Sequence, residues 1–289
     1  MIRLLLAAVC LTGCSTPATK PAGWRLVVLG IAQDGGMPHL GCTKPPCADV
    51  RAGLRKAEKV SCLGLVNDEL GAAYLFDATP DLPAQVHALT GGRAPDGIFV
   101  THAHIGHYTG LMYLGKETLA AKGVPVYATQ RLGDYLAKSG PWSLLVQDKH
   151  IDVRLLAPDG TVDLPGGIRI RAFVVPHRDE FSDTVGYVIE GPRRKAVYLP
   201  DIDKWEKWDR DIRALVDSVD VAFLDGTFET LDELPHRDMS KVRHPLMSET
   251  RERMKGTKSR VLFIHLNHSN PALRRGGDDV AREGLEIEL

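Results

Sequence analysis

The sequence predicts a layered α/β fold in which mixed sheets carry helices on their outer faces. Two observations predict it. Short apolar runs of strand length alternate with segments of helical spacing along most of the 289 residues. The two halves of the chain also share one order of elements, strands followed by helices, without any short sequence repeat.

The elements follow in order. Apolar runs at 25–30, 60–67 and 72–77 read as strands. A helix over 82–89 follows Pro80-Asp81. The run 97–100 is a strand that leads into a histidine-rich loop, and 108–121 has apolar residues at helical spacing. A strand at 124–127 and a helix at 131–138 close the first half. The second half carries strands at 153–156, 169–175, 184–189, 196–199, 219–224 and 261–264, with helices at 210–216 and 245–255.

Arg3 precedes the apolar run from Leu4 to Leu11, which is far below the roughly 20 residues that span a bilayer. The segment Leu11-Thr12-Gly13-Cys14 resembles the bacterial lipoprotein lipobox. That resemblance implies a signal peptide over 1–13, lipidation of Cys14 and a Ser/Thr/Pro/Lys-rich tether over 14–24. It implies a lipid-anchored, periplasm-facing protein of the cell envelope, held to the membrane by the anchor alone. Residues 25–289 are then one large domain.

A net charge of −1 provides no basic footprint for nucleic acid, so the partner expected is a small-molecule substrate. After Cys10 and Cys14, only Cys42, Cys47 and Cys62 remain, too few for a disulfide scaffold. Cys62 lies in a strand and reads as core. Cys42 and Cys47 lie with His39 in a Gly/Pro-rich loop.

Thr101-His102-Ala103-His104-Ile105-Gly106-His107 places three of the chain's 11 histidines directly after a strand. Such a loop can aim three imidazoles at one point, and neutral imidazole suits zinc and iron. In the second half, three strands end in metal-competent side chains: His177, Asp201 and His265. Asp201 could bridge two ions, one through each oxygen.

This order of residues resembles the metallo-β-lactamase fold superfamily, whose pattern is an early Asp, His-x-His-x-Asp-His, then a His, an Asp and a His. The positions here are Asp77, His102, His104, His107, His177, Asp201 and His265. The resemblance implies a four-layer αββα sandwich and one or two active-site zinc ions, with Fe²⁺ or Mn²⁺ as alternatives. It implies that Asp77 orients the histidine loop. The family's aspartate between the histidines is Gly106 here. The second metal position is then left with His107, His265 and shared Asp201, which predicts a weak second site or a mononuclear centre. On that reading Gly106→Asp raises second-metal affinity.

Segments 176–186, 224–234 and 265–271 are similar to the pyrroloquinoline quinone biosynthesis protein B group and to cyclic-phosphodiesterase-type proteins. In the latter a cysteine loop holds a structural zinc, which implies Cys42, Cys47, His268 and His39 as a ligand set. A Cys42–Cys47 disulfide and two free thiols are the alternatives. The resemblance implies a metallohydrolase that uses a metal-bound hydroxide, with a phosphodiester or related ester as substrate. Asp201 and His244 are the catalytic candidates, His244 as leaving-group acid. Asp179 and Asp183 are candidates to orient His177. Two rival readings are an iron oxygenase and a non-catalytic metal-binding lipoprotein.

Overall fold

The computed structural model describes residues 23–234, 238 and 241–289. The expected signal peptide, Cys14 and most of the tether lie outside the described residues.

The first half contains β1 (Arg25–Gly30), α1 (Cys47–Arg51), β2 (Cys62–Asn67), β3 (Ala72–Phe76), α2 (Leu82–Thr90), β4 (Gly97–Phe99), α3 (Ile105–Tyr108), β5 (Val124–Ala128), α4 (Gln130–Lys138), α5 (Trp142–Gln147) and β6 (Ile151–Leu155). The second contains β7 (Thr161–Leu164), β8 (Ile168–Val175), β9 (Thr184–Glu190), β10 (Lys195–Leu199), α6 (Ile212–Asp217), β11 (Val221–Asp225), α7 (Met247–Arg253), β12 (Arg260–Ile264), α8 (Ala272–Arg275) and β13 (Glu286–Glu288). One sheet has the order β13-β1-β2-β3-β4-β5-β6 and the other β12-β11-β10-β9-β8-β7.

Period-two alternation explains how the layers stack. In β1, Leu26 and Val28 join the core between the sheets, while Val27 and Leu29 face the helices. In β8, Ile168, Ile170 and Ala172 point inward, and Phe173 and Val175 point to the other outer layer. The first outer layer is Leu82, Leu111, Leu132, Leu136 and Leu145 packed on Leu75, Ile98 and Val126. The second sets Trp205, Trp208, Ile212 and Val216 against Val197 and Leu199. The fold is thus the expected αββα sandwich.

One element differs in kind. Residues 108–121 do not form a single helix. The chain makes one turn of α-helix at α3, a 3₁₀ segment at Thr109–Leu114, and then turns. Gly110 lies so close to the backbone that an added Cβ would sit 2.0 Å from the Thr79 carbonyl oxygen. That close approach keeps this segment against the strand ends instead of letting it run on as a covering helix.

Candidate metal centre

The histidines and acids named from the strand ends meet at the carboxyl ends of strands from both sheets, the usual ligand crevice of parallel sheets. In one group, His102, His104, His177 and Asp201 bring ligand atoms within 4.8 Å of one another. A second group is Asp34, His107 and His265, and a third joins Asp201, Asp225 and His265. Asp77 and His265 sit at φ of 72° and 64°, a left-handed backbone that bends the chain sharply as it leaves β3 and β12.

The hydrogen bonds around the rings set which nitrogen faces inward. His102 Nδ1 lies 3.0 Å from Thr101 Oγ1, and Thr101 Oγ1 donates to Asp77 Oδ1 at 2.9 Å. The His102 Nδ1 therefore donates and its Nε2 keeps a bare lone pair. His104 donates from Nε2 to Glu180 at 3.0 Å, so its Nδ1 carries a lone pair, with Arg178 Nη2 3.5 Å away. The lone-pair nitrogens His102 Nε2 and His104 Nδ1 are 2.8 Å apart. Two lone pairs at that distance repel unless a cation lies between them. His107 donates from Nδ1 to Asp77 Oδ2 at 2.8 Å, and His265 Nδ1 lies 3.0 Å from Thr227 Oγ1.

The inward atoms His107 Nε2, His177 Nε2, His265 Nε2 and Asp34 Oδ1 are buried without hydrogen-bond partners. Each such group costs about 1–3 kcal/mol if left alone. Two donors on one tetrahedral zinc lie about 3.3 Å apart. Here His177 Nε2 and Asp201 Oδ2 are separated by 3.2 Å and His102 Nε2 and Asp201 Oδ2 by 3.4 Å. His107 Nε2 and Asp34 Oδ1 are separated by 3.3 Å, and His265 Nε2 and Asp34 Oδ1 by 3.5 Å. The residues present fit two neighbouring metal positions that share Asp201.

Burial holds the His102 and His104 pKa below the usual histidine range. Burial also opposes charge on His107, His177 and His244, but neighbouring carboxylates outweigh it. Asp77 and Asp34 hold His107 well up, Asp201 and Asp203 lift His177 to about 9, and Asp225 and Asp201 hold His244 well up. His244 lies on the loop before α7, with Nδ1 2.9 Å from Asp225 Oδ2 and 3.2 Å from Asp201 Oδ1.

Four expectations need correction or completion. Asp34 fills the space beside Gly106, with Oδ1 3.3 Å from His107 Nε2 and 3.5 Å from His265 Nε2. Asp179 accepts from Thr184 and Asp183 pairs with Arg131; Asp203, at 3.4 Å, is the carboxylate beside His177 Nδ1. Asp34, Asp203, Asp225 and Glu180 were not named as site residues from the sequence. Asp225 ends β11, where the strand-end rule could have found it, whereas Asp34, Asp203 and Glu180 lie four or five residues past a strand and carry no such signal. No disulfide joins Cys42 and Cys47. They gather with His39 and His268, whose rings stack at 4.2 Å, but contribute to none of the three convergent groups.

The family model of the beta-lactamase superfamily domain matches residues 73–266, which include every histidine of the centre. This chain belongs to the beta-lactamase superfamily. It is 29% identical over 309 residues to the coenzyme PQQ synthesis protein B of Cupriavidus necator, covering 91% of this chain and 98% of that protein. Zn²⁺-bound PqqB from Methylobacterium extorquens superposes with a TM-score of 0.78 at 21% identity, covering 92% of this chain and all of the other. A diphosphatase of the PhnP family superposes with a TM-score of 0.68 at 22% identity, covering 92% and 97%. Both likenesses establish the sandwich fold of this superfamily member.

Proposed function

We propose that this chain is a metal-dependent hydrolase whose substrate is an anionic ester, a phosphodiester by preference. The observation that carries the reading is the cavity over the centre. It measures about 310 Å³; Asp34, His177, Asp201 and His244 form its polar floor, and Arg178, Lys241 and Arg243 stand at its rim. Each rim cation faces one carboxylate, at 3.8, 3.3 and 3.6 Å respectively. These ion pairs are weak because their cations reach solvent, so an incoming phosphate can take the cations over.

Bound zinc would supply an activated water and polarise a substrate oxygen. His102, His104, His177 and Asp201 would hold one ion. Asp77, Thr101 and Glu180 fix the tautomers of the rings, and His244 holds a proton beside Asp201. The relatives support metal chemistry of this type: one solved neighbour is described as Zn²⁺-bound and another as a diphosphatase.

Turnover of an activated phosphodiester, a carboxylic ester and a β-lactam by zinc-loaded and chelated protein tests the reading. Zinc-dependent turnover of the phosphodiester is expected, and its absence overturns the proposal. Full-length similarity to PQQ synthesis protein B favours a second reading, an iron-dependent oxygenase, since three imidazoles and a carboxylate also suit Fe²⁺. Metal analysis of protein made without added metal separates the two. We also propose a lipid anchor at Cys14 on the strength of the sequence Leu11-Thr12-Gly13-Cys14; Cys14→Ser should then release the protein from membranes.

A further inference from the structure

We infer that Asp34 is the carboxylate ligand of the second metal position, moved from residue 106 to the loop after β1. This deepens the metallohydrolase reading and rests on it for the presence of an ion.

Three observations carry it. The first is aim. Asp34 Oδ1 is buried, has no hydrogen-bond partner, and stands 3.3 Å from His107 Nε2 and 3.5 Å from His265 Nε2. The second is support. The backbone N–H of Gly36 donates to the Gln33 carbonyl at 2.7 Å, closing a turn with Asp34 inside it. Ala32 forms bridges to both Val60 and Leu266, Gln33 N–H donates to the Leu266 carbonyl at 2.9 Å, and Asn267 Nδ2 donates to Gln33 Oε1 at 2.8 Å. Asp34 is therefore stitched to the segment that carries His265, and the two ligands are held as one unit.

The third is exclusion. A Cβ added at Gly106 would meet Asp34 Oδ1 at 2.2 Å and its Cα at 2.7 Å. The second contact is with the main chain of the anchored turn, which cannot swing aside as a side-chain tip can. Gly106 is the second residue of α3 and is not among the positive-φ glycines. Space, not backbone conformation, is what calls for glycine there. Residues 34 and 106 can supply one carboxylate between them, and here the chain places it at 34.

The test is zinc stoichiometry and affinity of apo-protein by titration against a competing chelator, with circular dichroism of the metal-free proteins as the check on folding. Asp34→Asn should bind one zinc fewer than wild type under conditions that saturate wild type, its weaker ion loosened at least about 100-fold. Gly106→Asp alone should lose the same ion, because the new side chain collides with Asp34. Asp34→Ala should lose the same ion, which keeps the test decisive if Asp34→Asn folds poorly. Wild-type stoichiometry and affinity in Asp34→Asn, Asp34→Ala or Gly106→Asp overturns the inference. Failure of the hydrolase reading looks different: the ions bind as described while no ester turns over.

Discussion

His107 and Asp77, both fully buried, face each other with ring Nδ1 2.8 Å from carboxylate Oδ2. Asp77 also accepts from the Thr101 backbone N–H at 2.8 Å and from the Tyr198 hydroxyl at 3.1 Å. One carboxylate thus ties the end of β3 to the histidine loop and to a strand of the opposite sheet. Its own φ of 72° is a conformation that Asp and Asn tolerate better than most residues.

Asp77→Asn should therefore fold. The loss lies in the charge that orients His107 and makes it a better ligand. Zinc affinity at the His107 position should fall about 10- to 100-fold. Equal affinity in wild type and variant, by chelator competition, would show that packing alone holds the ring.

The proton on His177 makes a prediction about pH. Burial disfavours its charge, but Asp201 and Asp203 raise its pKa to about 9. A metal binds only the neutral ring, so at neutral pH a proton must leave. Apparent metal affinity should rise with pH from about 7 to about 9, by up to tenfold per unit for one proton, and flatten above. The sign for the metal-free protein is opposite. A histidine whose pKa is raised on folding contributes stability that is complete below about 6.5 and lost as pH passes through about 9. The gap in Tm between zinc-loaded and chelated protein should widen as pH rises across this window. A constant gap would sink this account.

The sandwich and the histidine groups were legible because each rests on a local signal: an apolar run for a strand, then a polar residue where the run stops. His102, His177, Asp201 and His265 all follow that rule. Asp34 did not stand out because it lies four residues past β1, inside a turn rich in glycine, and only folding brings it to Gly106. The β7 strand, Thr-Val-Asp-Leu, and β13, Glu-Ile-Glu, were invisible for a different reason. They lie mostly at the surface, with β7 at the edge of one sheet and β13 at the edge of the other, so they lack the apolar alternation of a buried strand.

The cysteine loop yields a prediction that separates its remaining readings. Cys47 is fully buried and burial pushes its thiol pKa up, while Cys42 is partly accessible and touches it. Of the three described cysteines, native metal-free protein should expose one readily alkylated thiol, Cys42, and unfolding should release Cys47 and Cys62. If Cys42, Cys47, His39 and His268 hold zinc, added zinc should protect Cys42, and His268→Ala should abolish the protection. Alkylation that is indifferent to zinc would leave free thiols as the answer.

His244 makes the sharpest kinetic prediction. Its Nδ1 is engaged by Asp225 and Asp201, and those carboxylates keep the ring protonated against the cost of burial. The ring lines the cavity, so its Nε2–H is the proton available to a substrate there. A general acid matters in proportion to the basicity of the group it releases. His244→Ala should lower kcat about 10²- to 10⁴-fold for a phosphodiester with an alkoxide leaving group. For a nitrophenolate leaving group, which departs without a proton, the loss should be slight. The wild-type rate on the alkoxide substrate should also fall at high pH as His244 loses its proton, and the variant should lack that limb. An equal loss on both substrates would mean that His244 acts by holding Asp201 in place, since a displaced ligand slows every substrate alike.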